Sequence, residues 1–118
     1  MLARSLPGRR LLQFMVANMS VVLPVEKLRQ TPALLAFYHP RPSYSVHILI
    51  VPRRPIDNLL ALGPEDAGFL VELFETVKSL VAEFGLDAQG YRLIANGGAY
   101  QDFPLLHFHL ISGQMLSS

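Results

Sequence analysis

Residues 45–51, Ser-Val-His-Ile-Leu-Ile-Val, carry the clearest alternation in the chain. An extended backbone sends successive side chains to opposite faces. Val46, Ile48 and Ile50 therefore share one face, and Ser45, His47, Leu49 and Val51 share the other. The run is rich in Val and Ile and is bounded by Pro52 and Pro55, which predicts a strand. Ala33–Tyr38, Tyr91–Ala95 and Leu105–Ile111 predict further strands, and the apolar residues 11–24 a first one. Pro24 to Leu28 suits one short helical turn, and Thr31-Pro32 is a break. His39-Pro40-Arg41-Pro42 is a rigid loop, because proline lacks the donor that a central strand needs.

A different period governs residues 64–84. Phe69, Leu73, Val77, Leu80, Val81 and Phe84 recur at spacings of three and four, the stripe of an amphipathic helix. Gly63-Pro64-Glu65-Asp66 supplies its start, with proline at the first helical position and acids in the first turn. Gly85 supplies its end. The stripe reads as core that covers one face of a sheet. Strands on both sides of one long helix predict an α+β fold with an antiparallel sheet. Asn96 to Gln101 is a glycine-bearing turn.

The chain has 118 residues, enough for one domain over 1–118. It is 51% hydrophobic and only 16% charged, apolar for a small soluble domain, which predicts a homodimer. A net charge of +1 gives no strong pull toward nucleic acid or an acidic membrane. The basic clusters Arg4 with Arg9-Arg10, and Arg53-Arg54, are too short to form a polyanion surface. The absence of cysteine excludes a disulfide scaffold, a thiolate nucleophile and any cysteine-held zinc or iron–sulfur centre. Leu11–Met19 after Arg9-Arg10 faintly resembles a signal peptide, but Gln13 and Asn18 interrupt it and no small-x-small site follows. It is also too short to span a bilayer. The expectation is a soluble, cytoplasmic protein.

The candidate chemistry lies in Leu105-Leu106-His107-Phe108-His109-Leu110-Ile111-Ser112-Gly113. In a strand, His107 and His109 project to one side, and Leu106, Phe108 and Leu110 point into a core. Packing explains such a pair poorly. Imidazole titrates near neutrality and serves as a nucleophile toward phosphorus, a general acid or base, or a metal ligand. His47 lies opposite the Val/Ile stripe of its own strand, so three imidazoles converge if that strand lies near the last one. A zinc site built from His107 and His109, with His47 or His39 as third ligand, is one reading of the same residues. Asn96 before Gly97-Gly98 offers an amide that binds a phosphate or orients a histidine, with glycines that let a ligand approach the backbone. This is no P-loop, since no GK[ST] follows.

These segments together resemble the histidine triad superfamily of nucleotide hydrolases and transferases. That family carries His-x-His-x-His-x-x near its C-terminus, matched here by Leu105 to Ile111. Leu35-Ala36-Phe37 before a proline loop, Val46-His47-Ile48-Leu49-Ile50-Val51-Pro52, and Gly90-Tyr91-Arg92-Leu93-Ile94-Ala95-Asn96 resemble further family segments, in the family's order over 33–115. The resemblance implies a five-stranded antiparallel sheet with one long and one short helix, and a homodimer. It implies a nucleotide or other phosphorylated small molecule as substrate, and no cofactor or metal. His107 corresponds to the nucleophile that attacks the α-phosphorus, His109 to a group that holds the phosphoryl charge, and His47 to the additional histidine. Asn96, Asp102, His39 and Gln101 fall at substrate-binding positions.

Three residues depart from the pattern. Leu105 replaces the first histidine, which removes one link of the hydrogen-bond network and a group that could set a neighbour's tautomer. Asp102 stands where many members have serine or threonine, and His39 where many keep an acid for the ribose hydroxyls. A catalytically silent module that binds a nucleotide or phosphate is the competing reading.

Overall fold

The computed structural model describes residues 26–116. Five strands form one antiparallel sheet: β1 (Lys27–Gln30), β2 (Leu34–Tyr38), β3 (Tyr44–Pro52), β4 (Arg92–Ala95) and β5 (Phe108–Met115). Their order across the sheet is β1-β2-β3-β5-β4. Helix α1 (Ala67–Phe84) and the short helix α2 (Leu86–Gln89) lie between β3 and β4 in the chain.

The helix follows from its sequence. Pro64–Asp66 forms a single 3-10 turn that leads into α1, and the Asp66 carboxylate accepts from the Gly63 N–H at 2.9 Å. Phe69, Leu73, Val77 and Leu80 are buried, while Val71 and Phe74 on the opposite side are exposed. Gly85 stops the helix at φ +63, the left-handed region where a side chain costs energy. The buried stripe packs with Leu34, Ala36, Ile48, Ile50, Leu106, Phe108 and Leu110 in one core. Burying each of the Leu, Ile, Val and Phe side chains among them contributes about 1.5–3 kcal/mol.

Alternation along β3 and β5 then leaves a second face. Phe37, Leu49, His109 and Ile94 lie in one row across β2, β3, β5 and β4, and His47, Ile111 and Arg92 in the next. Leu35, Phe37, Leu49 and Val51 on this face are buried as well.

Several boundaries differ from the sequence expectation. β5 begins at Phe108, not Leu105. The Leu106 N–H donates to the Ile56 carbonyl at 2.7 Å, which takes it out of the ladder, and Ala95–Phe108 is the last pair with β4. β5 also runs past Ile111 to Met115, because Gly113 lets it pass Ser45. Gly113 has φ +84, and a Cβ there would meet the Ser45 Cβ at 2.8 Å. Lys27 and Leu28 belong to β1 rather than to a helical turn: Lys27 pairs with Phe37 of β2, and Leu28 stands at the irregularity before the Arg29–Ala36 pair. The short helix stands after Gly85 instead. The expected strand over 11–24 lies outside the described residues. Among the described residues, no helix is long and apolar enough to cross a membrane.

Candidate functional site

All four histidines of the chain converge on the sheet face opposite α1. Each arrives for a local reason. His47 and His109 occupy the outward positions of β3 and β5. His107 immediately precedes β5, held by the Leu106–Ile56 bond. His39 follows β2, and its N–H donates to the His47 carbonyl at 2.8 Å, which extends the β2–β3 pairing by one residue and lays the two rings together. Ring centroids are 4.3 Å apart for His39 and His47, 5.1 Å for His47 and His109, and 5.0 Å for His107 and His109.

Hydrogen bonds assign the ring protons, because a neutral imidazole has one donor and one acceptor nitrogen. The Ser43 N–H donates to His47 Nδ1 at 2.9 Å, so the His47 proton resides on Nε2. His47 Nε2 lies 2.9 Å from His109 Nδ1 and therefore donates to it. That leaves the His109 proton on Nε2, a buried atom with no hydrogen-bond partner. The Arg41 N–H donates to His39 Nδ1 at 2.9 Å, which places that proton on Nε2 too. His107 differs. Its Nδ1 lies 2.8 Å from the Leu105 carbonyl, which only accepts, so Nδ1 carries the proton and Nε2 carries the lone pair. The imidazole lost at Leu105 therefore does not cost His107 its tautomer, because a main-chain carbonyl sets it.

Burial disfavours the charged form of His39, His47 and His109. It pushes His109 down to about 3, with His107, His47 and His39 adding repulsion against a second positive charge. Burial likewise pushes His39 down to about 4, reinforced by His47 and His107 and opposed by Asp102. Burial also lowers His47.

The remaining candidates are placed unequally. Asp102 lies close enough to His39 for its carboxylate to favour the imidazolium form. Asn96 is half-buried one step beyond the Ala95–Phe108 pair, the position across from His107. Gln101 is turned to the backbone: its Nε2 donates to the Asp57 carbonyl at 2.8 Å and to the Phe103 carbonyl at 2.9 Å, tying the segment before His107 to the loop after β3. Sequence reasoning missed the main-chain groups of Arg41, Ser43 and Leu105, which no side chain announces.

An antiparallel sheet with one long helix, and a histidine cluster at β3 and β5 in which one imidazole holds a nitrogen lone pair and another a buried N–H, defines a small α+β protein with a polyhistidine site. The HIT domain family matches residues 21–116, and the chain belongs to that family. An uncharacterized HIT-like protein of Synechococcus elongatus is 37% identical over 97 residues, 80% of this chain and 84% of that protein. A histidine triad protein of Clostridium difficile superposes with a TM-score of 0.76 at 27% identity, covering 91% of this chain and 93% of that one. A HIT family hydrolase of Legionella pneumophila superposes with a TM-score of 0.77 at 27% identity, covering 90% and 95%.

Proposed function

We propose that this protein is a nucleotide hydrolase or transferase that acts at the α-phosphate of a nucleoside 5′-phosphate derivative, with His107 as nucleophile. The tautomer of His107 carries the reading. Its Nδ1–H is committed to the Leu105 carbonyl, so Nε2 offers a lone pair without prior loss of a proton. Attack forms the Nε2–P bond as the bond from phosphorus to the leaving group breaks. The leaving group departs with the electron pair and takes up a proton. Water then attacks phosphorus, the Nε2–P bond breaks, and a nucleoside monophosphate is released. Covalent catalysis of this kind divides one difficult displacement into two.

His109 supplies the complementary group. Its buried, unpartnered Nε2–H is a fixed donor for a phosphoryl oxygen whose charge grows during attack. His47 holds that donor in place through Nδ1, and Ser43 holds His47. Asn96, across from His107, offers its amide for a hydrogen bond at the active site. Asp102 disfavours a second phosphate beside it while ionised. His39 lacks the carboxylate that would accept from ribose hydroxyls, which directs the site away from an ordinary purine nucleotide. The hydrolase named from Legionella pneumophila supports the reaction class. A cytoplasmic homodimer completes the proposal. In its support, an apolar groove of about 760 Å³ lined by Phe74, Val77, Val81, Tyr91 and Leu93 adjoins β4, the edge strand among the described residues.

The replacements at Leu105, Asp102 and His39 favour one second reading, a module that binds a nucleotide without turning it over. The two separate on a trapped intermediate. Adenosine 5′-phosphoramidate, quenched in base during turnover, leaves an adenylyl group on His107 by intact mass and peptide mapping. Ligand-induced thermal stabilisation with no such adduct and no product supports the binding module instead.

A further inference from the structure

His39 has no role in the hydrolytic route, yet it completes a second arrangement. One ligand nitrogen from each of His39, His47 and His109 lies within 4.8 Å of the others. We propose that these three imidazoles form a binding site for a borderline divalent transition metal, with zinc as the reference ion. The site shares His47 and His109 with the phosphoryl chemistry, but the nucleophile of that chemistry, His107, is not among the ligands.

The donor set decides the metal class. Three imidazole nitrogens with no carboxylate or thiolate suit zinc, cobalt, nickel or copper, and do not suit magnesium or calcium. Zinc–nitrogen bonds of about 2.0–2.1 Å at tetrahedral angles separate ligand atoms by about 3.3 Å. The His47 Nε2 to His109 Nδ1 separation of 2.9 Å needs only to open slightly, and His39 to draw in. His39 is held at its main chain by the bond to the His47 carbonyl and closes the gap by turning its side chain, whereas β3 and β5 fix the other two.

Proton placement sets the cost. His109 already carries its proton on Nε2 and keeps it when Nδ1 binds the metal. His39 and His47 must move theirs from Nε2 to Nδ1, which releases the N–H groups of Arg41 and Ser43. Both residues are exposed, so each released N–H passes to water. Three metal–nitrogen bonds outweigh that. A fourth position stays open for water or a ligand atom.

Tag-free, metal-stripped protein titrated with cobalt(II) alone tests the site. Wild type takes up about one cobalt per chain and develops the intense visible band of a four-coordinate ion, and zinc abolishes the band. His107→Ala retains it. His39→Ala and His39→Asn, each checked for an unchanged melting transition, bind at least about tenfold more weakly. A wild type that develops no such band overturns the proposal, as do His39 variants that bind cobalt like wild type. Neither result bears on turnover in EDTA, so the metal site and the hydrolase reading fail separately.

Discussion

Leu105 is the residue whose replacement most invites the conclusion that the site is dead. Its side chain cannot hydrogen bond, but its carbonyl holds His107 Nδ1 at 2.8 Å, and every residue type brings that carbonyl. Leu105→His should therefore change kcat/KM for adenosine 5′-phosphoramidate by less than about tenfold, below 1.4 kcal/mol of transition-state stabilisation. Steady-state kinetics checks it, and a gain of a hundredfold or more would show that the missing imidazole limited the site. His107, His109 and His47 were legible in the sequence, because polar rings at outward positions of apolar strands stand out. Their partners were not legible, since the groups that fix each tautomer belong to the main chain. Gln101 shows a structural role that the sequence did not announce: its amide nitrogen donates to the carbonyls of Asp57 and Phe103.

Among the elements, α1 was the easiest to read. Proline and acids at its start, a buried stripe at helical spacing and Gly85 at its end all agree. Strand ends were harder. Where β5 begins depends on the Leu106–Ile56 bond, a contact with a segment fifty residues earlier that leaves no local mark. His39 reaches the cluster only because the β2–β3 pairing continues for one residue past Tyr38. The exposed side of α1 carries its own consequence. Phe74 is 56% exposed and lines the apolar groove beside β4. Phe74→Glu should convert a wild-type dimer to a monomer by light scattering at micromolar concentration, with little change in chain stability. A monomeric wild type would remove the dimer from the account.

For the whole molecule, the burial of His39, His47 and His109 couples stability to pH. Folded His39 and His109 resist protonation down to about 4 and about 3, while the unfolded chain protonates near 6.5. Below 6.5 the unfolded state therefore binds more protons than the folded state, and stability is lost as pH falls toward 4. Above 6.5 this contribution is fully present. The melting temperature should decline steadily from pH 7 to pH 4.5 and less steeply in His39→Ala. A flat profile over that range would contradict the assigned burial of the cluster.

The central claim is that His107 acts as a nucleophile without help from a metal. It is tested most directly by hydrolysis of adenosine 5′-phosphoramidate in EDTA, wild type against His107→Ala. The account predicts turnover by wild type and a loss of at least about a thousandfold in the variant, with an unchanged fold. A variant that turns over at the wild-type rate would contradict it.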